Sequence, residues 1–227
     1  MPMNRYLEQY KAKQCTVDDA LAAIRDGDFV ATSGGVNAPL LFYKNLHRIA
    51  PRLREGFDFF YGTTYKKGDF EFLDSVECKE KIHTLSGFVL SGDEREYIRQ
   101  GHVDYVPTHY HSQGSKMIQA RGGLDVYVAA VCPMDERTGY FRTSLSNVNE
   151  TDFRNAAKKI YLEVVPSLPV IYGNNEIHIS EVEGIYEYDH PLETMDPLPF
   201  GEVEKQIGEY VAELVEDGST IPLGIGA

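Results

Sequence analysis

With 227 residues, 42% of them hydrophobic and 11% aromatic, the chain can bury an extensive core, which excludes both a disordered polymer and a small stapled scaffold. A formal net charge of -13 argues against nucleic acid as a partner, because a polyanionic protein repels phosphate backbones at long range. Three scattered cysteines, Cys15, Cys78 and Cys132, form no CxxC pair for zinc or redox chemistry, the mixed-charge start is not expected to be a signal peptide, and no apolar run nears the roughly 18 residues that cross a bilayer, so a reduced cytoplasm without membrane attachment is the expectation.

In chain order, Thr16 reads as an N-cap for a helix carrying Val17, Ala20, Leu21 and Ile24 on one face, with Gly27 ending it. Phe29 to Thr32 is a short buried strand that runs into Ser33-Gly34-Gly35, and Pro39 opens a second helix through Leu40, Leu41, Leu46 and Ile49. Phe57 to Tyr61, Val103 to Val106 and Leu124 to Val131 repeat the buried-strand pattern, separated by helical stretches around Glu94 to Gln100 and Ser115 to Ala120. A turn at Asp135 to Gly139, a helix at Thr151 to Lys158 and a strand at Ile160 to Val165 complete the series. Alternating strands and helices predict an α/β domain with a largely parallel sheet covered on both faces.

From Pro166 to Gly201 five prolines, Pro166, Pro169, Pro191, Pro197 and Pro199, favour loops and crossing segments, which makes this stretch a boundary. The acidic run Glu176, Glu181, Glu183, Glu187 and Asp189, interleaved with Ile177, Ile179, Val182 and Ile185, reads as extended segments with a wet face. Beyond it, Val203, Ile207, Tyr210, Val211 and Leu214 mark one face of a helix that ends at Asp217-Gly218, and Thr220 to Leu223 begins a strand leading into Gly224-Ile225-Gly226-Ala227. A strand followed by Gly-x-Gly ordinarily feeds a helix whose amino end binds a ligand, so the expectation is a truncated chain or one piece of a split protein.

Several motifs invite chemistry. Ser33-Gly34-Gly35-Val36-Asn37, between a strand and a helix, would let backbone approach an anion, although a plain strand-to-helix turn explains the same glycines. The Gly224 to Ala227 loop lacks both the third glycine of a dinucleotide fingerprint and the lysine of a P-loop, so neither NAD nor ATP is implied, and a tight turn is an equal reading. His109-Tyr110-His111 has no third ligand nearby, which favours loop histidines over a metal site; Asp135-Glu136-Arg137 reads as a solvated turn.

Taken in order, Val103-Asp104-Tyr105-Val106-Pro107, Leu124 to Val131, Cys132-Pro133-Met134-Asp135-Glu136, Gly139-Tyr140, Ile177 to Glu181, Val211 to Gly218 and Leu223 to Ala227 resemble the acetyl-CoA hydrolase/transferase family, which includes 4-hydroxybutyrate, butyrate and acetate CoA-transferases. The resemblance covers most of the chain from about Gly87 onward. It departs from the family pattern at His109-Tyr110-His111 and at Cys132-Pro133, where a Pro-Pro step is common; these departures bear on acyl specificity.

The resemblance implies a class I CoA-transferase-like fold, similar to sugar-phosphate isomerases, with residues 1–200 as the N-terminal domain and 201–227 as the start of a truncated second domain. It implies a reaction in which a glutamate of the second half attacks the acyl-CoA thioester, CoA thiolate returns to give a glutamyl-CoA thioester, and an acceptor carboxylate collects the CoA. Coenzyme A thioester is then a substrate, with no bound cofactor and no metal. The match places Gly224, Ile225, Gly226 and Ala227 against CoA, suggests Gly34, Gly35 and Ser146 as substrate contacts, and puts the catalytic glutamate beyond Ala227, so no catalytic residue is assigned. Acyl-CoA and a short-chain carboxylate are the expected partners, a homo-oligomer is expected of the full-length protein, and this chain alone is expected to be inactive. The alternatives are a non-catalytic or CoA-binding subunit of a split transferase, and a sugar-phosphate isomerase-like enzyme.

Overall fold

The computed structural model describes residues 4–62, 71–89, 92–145, 148–192, 194 and 199–222. The chain forms two compact units, Met1–Glu193 and Thr194–Ala227.

The first unit begins with α1 (Arg5–Lys13), which the sequence reading did not anticipate because its apolar positions are few; Asn4 starts it by accepting the Tyr6 N–H at 3.0 Å. The expected second helix, α2 (Val17–Ala22), is fixed by a capping box in which Thr16 and Asp19 satisfy each other's backbone amides. There follow β1 (Phe29–Thr32), α3 (Leu40–Asn45), β2 (Phe57–Phe60), α4 (Val76–Lys81), β3 (Ile82–Ser86), α5 (Gly92–Arg99), β4 (Val103–Tyr105), α6 (Gln113–Arg121) and β5 (Leu124–Val131). After β6 (Tyr140–Arg142) and α7 (Glu150–Ala156) come β7 (Ala157–Val164), β8 (Glu176–His178) and β9 (Gly184–Glu187).

Seven strands form one sheet in the order β4-β3-β2-β1-β5-β7-β9, every neighbouring pair parallel, and β6 with β8 forms a separate antiparallel pair. Alternate side chains enter two cores. Val30, Phe59, Val126 and Val128 pack with α2 and α3 on one face, whereas Phe29, Ala31, Phe60, Tyr127 and Leu162 pack with Met117 of α6 and Phe153 of α7 on the other. Both faces being dry, the strands carry continuous apolar runs rather than an alternating pattern.

One expectation is refined and another corrected. The proline-rich stretch after Pro166 contributes β9 as an edge strand of the main sheet, paired from Tyr161↔Gly184 to Val164↔Glu187, because Ile185 and Tyr186 are buried. Residues 220–222 form no strand: nothing among the described residues offers them a ladder partner, and Leu223 lies outside the described residues. In the second unit α8 (Glu202–Ala212) forms where Val203, Ile207, Tyr210 and Val211 predicted it, with those side chains more than half exposed.

Glu163 of β7 is fully buried, yet its carboxylate accepts the N–H groups of Leu41 at 3.1 Å and Phe42 at 3.2 Å, replacing the cap that Pro39 cannot supply to α3. Burial, only partly opposed by these amides, pushes its carboxyl up to about 7 from an ordinary 4.5. A raised carboxyl value means that the native state binds the proton more tightly than the unfolded chain, so this group's contribution is greatest below pH 4.5 and declines as pH rises toward 7. Urea unfolding of Glu163→Gln against the parent should therefore show the variant gaining relative stability between those pH values, by on the order of 2–3 kcal/mol. Glu163→Ala should lose about 2 kcal/mol at pH 5, where the missing helix cap and the cavity add.

Candidate functional site

The chain lays down β1 at the centre, proceeds outward through β2, β3 and β4, and then returns to the other side of β1 with β5. Loops leaving the carboxyl ends of β1 and β5 thus diverge, and in an open parallel sheet this point of reversal is where a ligand crevice opens. The loop after β1 is Ser33-Gly34-Gly35-Val36-Asn37; the loop after β5 begins with Cys132-Pro133.

The β1 turn is held from several sides. Ser33 donates from its N–H to Val128 O at 3.1 Å, its hydroxyl donates to Asn37 O, and Ser33 Oγ accepts the Ala130 N–H at 3.0 Å. Gly35 adopts φ +63°, a left-handed conformation that glycine takes without strain, and starts a single 3-10 turn in which Asn37 N–H reaches Gly34 O at 3.1 Å. Thr32 Oγ1 bonds Tyr43 Oη at 2.6 Å and accepts the Gly62 N–H at 3.1 Å, tying the ends of β1 and β2. Gly62 lies so close that a Cβ there would stand 2.2 Å from Gly34 Cα.

These bonds change the reading of the turn. Leu41 and Phe42 amides at the start of α3 belong to Glu163, so these two donors imagined from the sequence are already engaged by the protein, and the buried Glu150 lies near the Gly34 amide. Gly34 is buried, whereas Gly35 and Val36 are half-buried and form the open edge. Val36 packs on a small apolar floor of Ala130, Cys132, Val165 and Leu168.

Cys132 is no nucleophile in this setting. Its thiol is buried, reaches Pro169 O at 3.4 Å, and burial raises its pKa. Ser146, Gly224, Ile225, Gly226 and Ala227 lie outside the described residues. His109 and His111 stack on each other with centroids 5.7 Å apart in an exposed turn beyond β4, and among the described residues no group of three or more His, Cys, Asp or Glu side chains is placed to hold a metal ion.

Along the same carboxyl edge a cavity of about 310 Å³ opens between Leu7 and Tyr10 of α1, Pro133 and Met134 after β5, and Glu187 at the end of β9. At the opposite, amino edge His83 of β3 bonds Asp58 of β2 and Asp104 of β4, each at 2.7 Å, and Arg121 pairs with Asp58. Burial disfavours the imidazolium, but the two carboxylates outweigh it and hold the ring's pKa above its ordinary value. This ladder joins strands far from the crevice.

Sequence reasoning missed Glu150 and Glu163. For Glu163 a signal existed: a carboxylate inside the apolar run Ile160 to Val165 must find a partner if that run is a buried strand.

An open parallel sheet with a glycine turn at its reversal point defines a ligand-binding α/β domain. Residues 2–195 match the acetyl-CoA hydrolase/transferase N-terminal domain, and the chain belongs to that family. It is 34% identical over 222 residues to the succinyl-CoA:cyclohexane-1-carboxylate CoA transferase of Geobacter metallireducens, covering 97% of this chain and 49% of the relative. It is 29% identical over 220 residues to the 4-hydroxybutyrate coenzyme A transferase of Clostridium kluyveri, covering 97% and 50%. RipA from Yersinia pestis superposes with a TM-score of 0.85 at 26% identity, covering 98% of this chain and 53% of that one. The 4-hydroxybutyrate CoA-transferase of Porphyromonas gingivalis gives 0.73 at 26%, covering 98% and 50%. The chain spans about half the length of the curated relatives it matches.

Substitution at the tightest point of the turn tests this geometry. Gly62→Ala should force the β1 and β2 ends apart and cost about 2–3 kcal/mol in denaturant unfolding, since backbone rather than a flexible side chain blocks the new methyl group.

Proposed function

We propose that this chain is the N-terminal portion of an acyl-CoA:carboxylate CoA-transferase, or of an acetyl-CoA hydrolase in which water takes the place of the acceptor. The observation that carries the reading is the family match across residues 2–195 together with CoA-transferase relatives of about twice this length. In this reading residues 1–200 form the N-terminal domain, 201–227 begin the second, and the nucleophilic glutamate lies outside the chain.

The chemistry needs a carboxylate that exchanges thioester for anhydride and back. Its oxygen attacks the acyl carbon, the C–S bond breaks and CoA leaves as thiolate; the thiolate then attacks the glutamyl carbonyl and expels the acyl group as a carboxylate. The acceptor carboxylate runs the two steps in reverse. What the present domain contributes is one wall of the cleft: the half-open Gly35-Val36 edge, backed by the apolar floor under Val36, suits a short acyl chain in a place from which water is excluded. Gly34, Gly35 and Ser146 are its substrate contacts, and Gly224 to Ala227 contact CoA. The full-length protein works in the cytoplasm as a homo-oligomer.

The 227-residue chain alone should exchange no CoA between acetyl-CoA and butyrate or 4-hydroxybutyrate. When it is followed by, or mixed with, the family's second half, exchange should appear, and intact-mass measurement should find a protein heavier by CoA less one water. Turnover by the isolated chain at about 1 per second or faster would show that the glutamate is not missing.

A further inference from the structure

Of the five residues of β3 only His83 is exposed. It stands directly opposite Asp58 of β2 and diagonally from Asp104 of β4, which pairs with Leu85 two residues further along the strand. Its Nδ1 lies 2.7 Å from Asp58 Oδ1 and its Nε2 lies 2.7 Å from Asp104 Oδ2. An ionised carboxylate can only accept a hydrogen bond, and a neutral imidazole carries a single N–H. Both contacts are satisfied together only when each ring nitrogen holds a proton, so the geometry itself calls for the imidazolium.

The three residues belong to three strands, and β4, three residues long, is the edge strand with β3 as its one neighbour in the sheet. We propose that Asp58, His83 and Asp104 form a proton-dependent clamp on β4: the imidazolium ties the edge strand to the β2-β3 pair, and loss of one ring proton loosens the end of β4.

Burial decides which bond is given up. Asp58 is 23% exposed and also pairs with Arg121 of α6, whereas Asp104 is 63% exposed and has no other side-chain partner among the described residues. Water replaces a lost bond readily on Asp104 and poorly on Asp58, so the neutral ring keeps its N–H toward Asp58 and releases Asp104. The other charged groups beside the ring are Glu55, before β2, and Lys79, Glu80 and Lys81 of α4, which line an open depression next to it and oppose one another in sign. Lys81 is already engaged with Arg54 O. Burial works against the imidazolium, but the bonds to Asp104 and Asp58 outweigh it and hold the ring's pKa above the ordinary 6.5. For a raised value of this kind the clamp is complete below pH 6.5 and is lost as pH rises through the folded-state value.

The Val106 N–H, which donates to Ser86 O at 2.7 Å just beyond β4, reports whether the end of the strand is held. Its hydrogen-exchange protection factor, corrected for the intrinsic pH dependence of exchange, should be followed in the 227-residue chain from about pH 6 to 9, with the His83 ring nitrogens followed by 15N NMR. The ring should carry two N–H groups at pH 6.5, and Val106 protection should fall about three- to fivefold as it loses one. In His83→Gln protection should be independent of pH and stay at the parent's high-pH level, which separates His83 from His102, His109 and His111. In Asp104→Asn it should also be independent of pH but stay at the low-pH level, because the new amide can donate to a neutral ring nitrogen. Two variants that remove the same pH dependence from opposite ends are not what a general loss of stability would produce. A ring that is neutral at pH 6.5 overturns the imidazolium. A parent protection factor that is flat with pH, or one that falls equally in either variant, overturns the clamp.

Discussion

Where the chain leaves β1 and turns into α3, its backbone carries N–H groups that neither a sheet ladder nor a helix bond can satisfy, and the carboxylate that accepts those of Leu41 and Phe42 comes from far along the sequence. Glu163 reaches from β7 to the start of α3, and Glu150 of α7 lies near Gly34. Both are almost wholly enclosed. Removing a charged side chain from water is expensive, and Glu163 is retained because it accepts inward-pointing amides that would otherwise be buried without partners. The start of α3 depends on this acid: a strand built after β5 supplies the group that completes the half of the domain built before it.

This dependence explains why the architecture was legible in the sequence and the interior of the site was not. β1 and β5 were read with the boundaries they have, because continuous apolar runs bounded by turn residues reflect strands buried on both faces. β3 was overlooked because Ile82-His83-Thr84-Leu85-Ser86 carries only two apolar residues and neither alternates nor runs continuously apolar, while the partners of His83, Asp58 and Asp104, lie on other strands. β9 falls in the acidic stretch read as extended segments, but its place in the main sheet was not legible, because the partner strand β7 lies on the other side of the prolines. Glu163 escaped for the same reason: the amides that require it are over a hundred positions away in the chain, and no local pattern encodes that pairing.

The family relation and the geometry meet at the glycine turn. Fold alone would allow a range of ligands at such a place, since open α/β sheets serve unrelated chemistries. What narrows the choice is the family match over residues 2–195, and at the turn itself a half-open edge stands over apolar residues while the Leu41 and Phe42 amides are held by Glu163.

The pairing of the chain's beginning with the edge strand has a consequence for synthesis. Cys15 donates its N–H to Ile185 O at 2.8 Å, and Gln14 bridges to the same residue in parallel. On the ribosome this bridge has no partner strand until β9 has been made, which at typical elongation rates takes on the order of ten seconds or more after Cys15. During that interval β1, β2, β3 and β4 can assemble on their own helices, so the bridge is among the last contacts of the first unit to be locked.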